Sequence, residues 1–422
     1  MEKVKLACYQ IKSFSLSFLF LIVSISLTAQ LPNGWRGHER SGHYDEAGLL
    51  DVWPEGGPDL LWETLDAGRG FSSPVIVNDR LFITGMNDAR DRETFSAYTL
   101  NGEKLYEVEY GSPWEGSYPE TRTTPAIVGE RAWVISGQGE VVCIGINNGD
   151  ILWRVKGGEI FERETGRWGT AESPLVFDNK VIYTPGGDKT TMVALDAETG
   201  KTVWTSPPLG DHYSYVSPLL INHNGRRQII AMTGENVIGV DPETGDIEWT
   251  FDDWGRSRGE SIVTNTPLFS NGRLFFSNGY GQGSFMLELN NDASGVTLAW
   301  RNDDHGTHHG GFVLLDGVIY GSNWISNNQG NWVAVEWNTG ETLYNESWNT
   351  KGSIITDGTM LYSYEERRGN VGLVRPNRYS FDVVSEFRLT GGHGPHWAHP
   401  VIHDGILYLR HGPLLRAYNI RN

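Results

Sequence analysis

A turn followed by an aromatic residue recurs along this chain of 422 residues. The pattern is seen at residues 101–106, 199–204 and 244–249. Its aromatic positions lie about 46 residues apart, at Trp62, Tyr106, Trp153, Trp204, Trp249, Trp300, Tyr344 and Phe387. A period of 20 to 50 residues is typical of repeat folds, in which each unit packs against its neighbours.

A second recurring piece is a proline followed by alternating apolar residues. Its copies begin at Pro74, Pro125, Pro174, Pro218, Pro267 and Pro400. Asp-Gly or Asn-Gly turns follow in several copies, as at residues 271–272 and 404–405, and these dipeptides favour two-residue hairpins. Each unit therefore predicts four antiparallel strands, which is the content of one propeller blade. The aromatic residues are predicted to pack between blades.

The count of fourth strands predicts an all-β, eight-bladed β-propeller of four-stranded antiparallel blades, with seven blades as the alternative. The first fourth strand, residues 59–62, has no blade ahead of it. The last unit, residues 400–420, has only three strands. We expect the N-terminal strand to complete the last blade, which closes the ring and leaves no sheet edge exposed.

The N-terminal residues have the pattern of an export signal. Lys3, Lys5 and Lys12 precede an apolar run at residues 14–27, which is shorter than the ~20 residues of a membrane span. The sequence predicts a signal peptide at 1–29, a lead segment at 30–57 and the propeller at 58–422. The exported protein is expected in the periplasm or outside the cell, with no stable membrane span after the signal is removed.

The overall charge limits the classes of partner. With 34 Lys+Arg against 52 Asp+Glu, the formal net charge is −18. A strongly acidic chain repels phosphate backbones, so nucleic acid is not expected as a partner. Removal of the signal leaves one cysteine, Cys143, in an apolar run, so we expect a buried hydrophobic residue there and no internal disulfide.

The repeat resembles a known family. The string at residues 194–204, Ala-Leu-Asp-x-x-Thr-Gly-Lys-x-x-Trp, resembles the pyrroloquinoline-quinone-like (PQQ-like) propeller repeat. Longer strings at 35–42, 167–174, 308–311 and 397–400 are similar to a bacterial exported subgroup of that family. The family includes quinoprotein alcohol dehydrogenases and the non-enzymatic outer-membrane protein assembly propeller BamB. The resemblance therefore implies either an alcohol or sugar oxidoreductase, with PQQ and calcium as its cofactors, or an envelope scaffold with a protein partner.

The loops that precede the proline-led strands are predicted to meet at one mouth of the central funnel, and propeller ligands commonly bind in such concave mouths. These loops carry polar, charged and aromatic residues. The candidate ligand site consists of Arg69, Arg122, Arg167, Trp168, Tyr213, Glu260, His308, His309 and His396.

Three interpretations of these residues remain open. The histidines and Glu260 are ligand types for a transition metal, although no zinc-type spacing is present, so no metal site is assigned. Alternatively, Arg122 and Arg167 bind a small polar or carbohydrate-like ligand that stacks on Trp168 and Tyr213. In the third interpretation, the polar groups only cross-link the loops.

The string at residues 308–311 makes a further prediction. If it is extended, neighbouring side chains point to opposite faces. Only one of His308 and His309 would then face the funnel.

Overall fold

The computed structural model describes residues 33–163, 166–212, 214–253 and 262–422. They form eight antiparallel sheets of four strands each, arranged as an eight-bladed β-propeller. The predicted fold class is confirmed, and the seven-bladed alternative is wrong. The predicted signal peptide at 1–29 lies outside the described residues.

Blades 1 to 4 follow the chain in order, each from its innermost to its outermost strand. The strands of blade 1 are β2 (Val75–Val77), β3 (Arg80–Met86), β4 (Glu93–Thr99) and β5 (Lys104–Gly111). Those of blade 2 are β6 (Ala126–Val128), β7 (Arg131–Ile135), β8 (Val141–Gly145) and β9 (Ile151–Val155). Blade 3 has β10 (Leu175–Phe177), β11 (Lys180–Tyr183), β12 (Val193–Asp196) and β13 (Thr202–Thr205). Blade 4 has β14 (Leu219–His223), β15 (Arg226–Met232), β16 (Val237–Val240) and β17 (Ile247–Phe251).

Blades 5 to 8 continue the same order around the ring. Blade 5 has β18 (Leu268–Ser270), β19 (Arg273–Asn278), β20 (Gly283–Leu289) and β21 (Val296–Asn302). Blade 6 has β22 (Phe312–Leu315), β23 (Val318–Ser322), β24 (Trp332–Glu336) and β25 (Thr342–Glu346). Blade 7 has β26 (Gly352–Thr356), β27 (Leu361–Glu365), β28 (Asn370–Arg375) and β29 (Asp382–Arg388). Blade 8 has β30 (Val401–His403), β31 (Ile406–His411), β32 (Leu414–Asn419) and β1 (Asp59–Thr64).

The N-terminal strand closes the ring as predicted. β1 pairs antiparallel with β32, with Leu60 opposite Tyr418 and Trp62 opposite Ala417. The last blade thus takes its outermost strand from the start of the propeller. Since the first and last strands of the propeller belong to one sheet, this pairing closes the ring.

The recurrent aromatic and glycine residues form one contact between neighbouring blades. Trp204 of blade 3 donates its indole N–H to the Pro242 carbonyl of blade 4 at 3.2 Å. Gly245 of blade 4 has φ 82°, and a Cβ there would lie 2.4 Å from the Trp204 ring. Glycine is required because the turn needs a positive φ and the indole occupies the place of a side chain. The predicted packing of aromatic residues between blades is thereby explained.

Residues 33–44 contact the innermost strands of blades on two sides of the ring. Asn33 forms an antiparallel bridge with Ile127 of β6 in blade 2. The ring Nε2 of His43 is 2.8 Å from the Leu314 carbonyl of β22 in blade 6. Blades 2 and 6 are on opposite sides of an eight-bladed ring, so a segment that contacts both innermost strands lies in the central channel. We call residues 33–44 the channel plug.

Helical structure is confined to short pieces in the part of the chain that the structure covers. They are a 3-10 turn at His38–Arg40 and one turn of α-helix, α1, at Gly157–Ile160. No helix among the described residues is long and apolar enough to cross a membrane. Cys143 is fully buried in the core of blade 2, as predicted.

Candidate functional site: a cavity at the propeller mouth

A cavity of about 500 Å³ opens at the mouth where the loops preceding the innermost strands converge. These loops precede β2, β6, β10, β14, β18, β22 and β30, and the hairpin tips of blades 5, 6 and 7 add further residues. The cavity is lined by Trp35, Phe71, Tyr118, Arg122, Trp168, Ala171, Ser173, Tyr215, Ser217, Ile262, Thr264, Tyr280, His308, His309, Asn327, Asn328, Glu366, Arg367, Pro395, Trp397 and His399.

The channel plug contributes to the inner end of the cavity. Trp35 lines the cavity, and the next residue, Arg36, is 2% exposed. The Arg36 guanidinium donates to the Phe312 carbonyl at 2.6 Å and to the Ile354 carbonyl at 3.0 Å. It also lies 2.8 Å from Nδ1 of His399. The plug is therefore fixed to blades 6, 7 and 8 directly beside the cavity.

Much of the cavity wall is aromatic. Trp397 is the centre of one group, with ring centroids 5.0 Å from Phe71, 4.7 Å from Tyr118 and 4.9 Å from His309. On another part of the wall, Trp168 packs against Tyr215 with centroids 5.9 Å apart. Rings that pack against one another in this way hold fixed positions, so they offer a preformed apolar surface.

A polar group of side chains faces this aromatic surface. His308 and His309 precede β22, and their ring centroids are 4.2 Å apart. Glu366 comes from the turn between β27 and β28, and its Oε2 is 3.6 Å from Nε2 of His309. The other oxygen, Oε1, is 2.6 Å from the ammonium of Lys351, whose side chain is 1% exposed.

The electrostatics of this group follow from burial. Burial lowers the pKa of His308 to about 3 and that of His309 well below its ordinary value, and the nearby Lys351 ammonium lowers both further. Both imidazoles are therefore neutral at pH 7, and each keeps one lone pair that can accept a hydrogen bond or bind a metal ion. Burial raises the pKa of Glu366, while the Lys351 ammonium opposes that shift.

Four of the predicted site residues line this cavity: Arg122, Trp168, His308 and His309. The prediction that only one of the two histidines faces the funnel is wrong. The residues lie in a loop, since β22 begins only at Phe312, and strand alternation does not apply to them. Arg122 donates to the carbonyls of Trp168 and Tyr118, and to that of Ser117 at 3.2 Å. It therefore holds two loops of the wall together.

Arg69, Arg167 and His396 do not line the cavity. Arg167 is exposed, with its guanidinium carbon 5.3 Å from the Trp168 ring centroid. Nδ1 of His396 is 2.6 Å from the Tyr364 hydroxyl, and its ring stacks on His411 with centroids 3.6 Å apart.

His396 shares its loop with three residues that do reach the cavity. Pro395, Trp397 and His399 face the cavity, whereas His396 points away from it. Tyr213 and Glu260 lie outside the described residues.

Several residues of the wall were not among the predicted site residues. Glu366 and Arg367 belong to the hairpin tip between β27 and β28, and no motif in the sequence marks this tip as part of the funnel mouth. Trp35 precedes the propeller in sequence by more than twenty residues and reaches the mouth only because the plug enters the channel. Trp397 and His399 belong to the family-like string at 397–400, which directly follows the predicted site residue His396.

The described lining does not fit PQQ with calcium. Calcium takes six to eight oxygen ligands, mostly from carboxylates and carbonyls. Glu366 is the single carboxylate among the described lining residues, and it is already paired with Lys351. Its nearest neighbours of ligand type are the two histidines, which supply nitrogen. We therefore derive no quinone chemistry from this site.

Fold and cavity together define an eight-bladed propeller with a ligand-sized mouth site. A family model described as outer membrane protein assembly factor BamB matches residues 91–325, which is more than half of the chain. The chain belongs to this BamB-like family of PQQ-like β-propellers, as its repeat predicted. The comparison with curated proteins found no match.

Solved structures share the fold at low sequence identity. BamB from Moraxella catarrhalis is 15% identical, with a TM-score of 0.62 over 86% of this chain and 99% of that chain. Quinohemoprotein alcohol dehydrogenase from Comamonas testosteroni is 14% identical, with a TM-score of 0.64 over 92% of this chain and 81% of that chain. The computationally designed Ika8 protein is 13% identical, with a TM-score of 0.59 over 86% and 100% of the two chains. At these identities, the comparison defines the fold alone.

Proposed function

We propose that this protein binds a small, neutral, carbohydrate-like ligand in the mouth cavity. The observation that carries the proposal is a cavity of about 500 Å³ that combines fixed aromatic rings with a convergent polar group. This volume lies within the ~300–1,000 Å³ of small-molecule sites, which are mostly apolar with a few placed polar groups.

The two kinds of surface match the two kinds of surface on a sugar. A pyranose ring has C–H faces that pack on aromatic rings, and Trp35, Trp168 and Trp397 offer such rings. Its hydroxyl rim needs donors and acceptors, which Asn327 and Asn328 supply. The net charge of −18 favours a neutral ligand over an anionic one.

Oxidation of such a ligand is the finer form of this function. It needs a two-electron acceptor, and the described residues do not supply the oxygen ligands for calcium with PQQ. We therefore propose ligand binding as the function of the cavity, in an exported protein of the periplasm or cell exterior, as the N-terminal pattern of the sequence predicts.

A non-catalytic envelope scaffold is the second candidate. It is favoured by the family model described as an outer membrane protein assembly factor, which matches residues 91–325. A scaffold uses its rim for a protein partner and has no need of the cavity. Substitutions in the cavity therefore distinguish the two candidates.

The experiment is calorimetric titration of the exported protein with a panel of neutral mono- and oligosaccharides, repeated with Trp168→Ala. We expect saturable binding by the wild type and at least tenfold weaker binding by Trp168→Ala, because the stacking surface is lost. Tyr379→Ala is the matched control, since that tyrosine is 85% exposed and does not line the cavity. If the folded wild type binds no saccharide, or Trp168→Ala binds as tightly as wild type, the ligand proposal is wrong and the scaffold remains.

A further inference from the structure

Three side chains of ligand type meet on one wall of the cavity. His308, His309 and Glu366 each offer one ligand atom, and these atoms lie within 4.8 Å of one another. Two loops supply them, since the histidines precede β22 and Glu366 joins β27 to β28.

The imidazole nitrogens provide a second, independent observation. Nδ1 of His308 and Nε2 of His309 are buried and have no hydrogen-bond partner among the described residues. The 3.6 Å from Nε2 of His309 to Glu366 is too long for a hydrogen bond. Buried polar atoms are nearly always paired, and a bound ion is one explanation for those that are not.

The surroundings fix the orientation of two of the three ligands. Nε2 of His308 is 2.9 Å from the Tyr280 hydroxyl. This contact occupies Nε2 and leaves Nδ1 of His308 as the nitrogen that can bind a metal ion. The Lys351 ammonium is 2.6 Å from Oε1 of Glu366, which leaves Oε2 directed at His309. Lys351 is itself fixed by the carbonyls of Ser326 and Asn327, both at 2.9 Å. Such outer contacts are what orient the ligands of protein metal sites.

We propose that His308, His309 and Glu366 form a binding site for one divalent transition-metal ion, with Zn²⁺ as the ion to test. Two imidazoles and a carboxylate suit zinc and its neighbours in the first transition row, whereas calcium and magnesium prefer oxygen ligands. Ligand atoms around a tetrahedral zinc lie about 3.4 Å apart. Nε2 of His309 and Oε2 of Glu366 are already 3.6 Å apart, and ligand atoms separated by the full 4.8 Å would need to approach by about 1.4 Å.

Three protein ligands leave a coordination position for a small molecule, as in zinc sites that act on substrates. Because His308, His309 and Glu366 line the cavity, that position faces the proposed ligand. A hydroxyl of the ligand would then bind the ion, and this last step alone rests on the proposed function. The metal site itself rests only on the geometry of the three side chains.

The test is equilibrium dialysis of EDTA-treated, full-length exported protein against Zn²⁺, with bound metal measured by mass spectrometry. We expect one equivalent of Zn²⁺ in the wild type and at least tenfold weaker binding by His309→Ala and by Glu366→Gln. His223→Ala is the matched control, because its ring bonds the Asn290 carbonyl at 3.1 Å, outside the cavity. Wild-type affinity in both cavity variants, or no zinc bound by the wild type, overturns the proposal.

A spectroscopic measurement on the wild type keeps the test independent of variant folding. Cu²⁺ bound at this site should show nitrogen hyperfine splitting from two imidazoles in electron paramagnetic resonance. Splitting from fewer than two nitrogens overturns the assignment of His308 and His309 as ligands. Saccharide titration in EDTA separates the two proposals. If the protein binds saccharide in EDTA but binds no zinc in the dialysis experiment, only the metal site is refuted.

Discussion

The Arg36 guanidinium lies 2.8 Å from Nδ1 of His399 and thereby joins the channel plug to the cavity wall. Arginine can only donate, so Nδ1 of His399 must accept, and the proton sits on Nε2. That nitrogen donates to the His309 carbonyl at 2.9 Å. One chain of hydrogen bonds therefore runs from the N-terminal segment to the proposed ligand loop.

We expect Arg36→Met to lower the free energy of unfolding by about 3 kcal/mol, since it leaves buried carbonyls of Phe312 and Ile354 without their donor. Urea denaturation measures the change. Arg167→Ala is the control, because exposed side chains of this kind change stability by about 0.5 kcal/mol or less. Equal stability of the two variants would show that the plug contributes nothing to the ring.

Gly245→Ala tests the contact between blades. The new Cβ would lie 2.4 Å from the Trp204 ring at a position with φ 82°, so we expect a loss of about 3 kcal/mol. Gly225→Ala is the matched control, with φ 86° and nothing within 4 Å of the new Cβ, and should lose about 1 kcal/mol. Thermal denaturation distinguishes them, and equal losses would mean that backbone strain alone is responsible.

Stability should fall in acid because of buried histidines. Burial lowers the pKa of His308, His396 and His399 to about 3, so each is neutral when folded and takes up a proton on unfolding below pH 6.5. The contribution of these neutral histidines to the free energy of unfolding is complete above pH 6.5 and is lost as the pH falls toward 3. We expect a progressively lower Tm from pH 6.5 to 4, because these three histidines outnumber the two buried carboxyls whose raised pKa values act in the opposite direction. A constant Tm over that interval would contradict the assignment.

Two buried carboxyls act in the opposite direction. Burial raises the pKa of Glu93 and Glu172 to about 7. Between pH 4.5 and 7 the folded protein therefore keeps these two carboxyls protonated, whereas the unfolded chain releases the protons. Their contribution to stability is complete below the ordinary value of about 4.5 and is lost as the pH rises toward 7. Glu172→Gln should therefore make the decline of Tm from pH 7 to 4.5 steeper than in the wild type. An unchanged or shallower slope would contradict the raised pKa.

The fold was predictable because its signals are local and repeated. Each blade carries its own proline-led strand, its hairpin turn and an aromatic residue such as Trp204, so periodicity alone gives blade number and strand order. Closure of the ring was predictable from the strand count. The sequence has a single fourth strand before the first blade, and the last blade lacks its fourth strand, so the two complete each other. The channel plug has no such period, and its path depends on contacts with distant blades.

The site was only partly predictable, since it is assembled across blades. Trp168 and His309 lie in the loops where the funnel mouth was expected. Glu366 lies in a hairpin tip more than fifty residues from His309, and only the ring brings them together. His396 and His399 show the limit of loop-level prediction, because the direction of each side chain decides which of them reaches the cavity.

Addition of PQQ with calcium should leave the Tm unchanged. The described lining offers one carboxylate, Glu366, paired with Lys351, and two imidazoles where calcium needs oxygen. A cofactor that binds only the folded state at a hundred times its Kd would stabilise by about 2.7 kcal/mol, which differential scanning fluorimetry detects easily. A calcium-dependent shift with PQQ, absent with either alone, would contradict this expectation.

Lys351→Met tests how charge acts on the proposed metal site. The variant leaves Glu366 buried without its ammonium partner at 2.6 Å, so in EDTA it should be less stable by about 3 kcal/mol. In this variant Zn²⁺ would supply the positive charge that pairs with Glu366, and the repulsion from the Lys351 ammonium would be gone. We expect zinc to raise the Tm of Lys351→Met by about 2 °C more than that of wild type, as tenfold tighter binding gives about 1.4 kcal/mol. Glu366→Gln is the control and should show a smaller zinc shift than wild type, and equal shifts in all three proteins would place the zinc elsewhere.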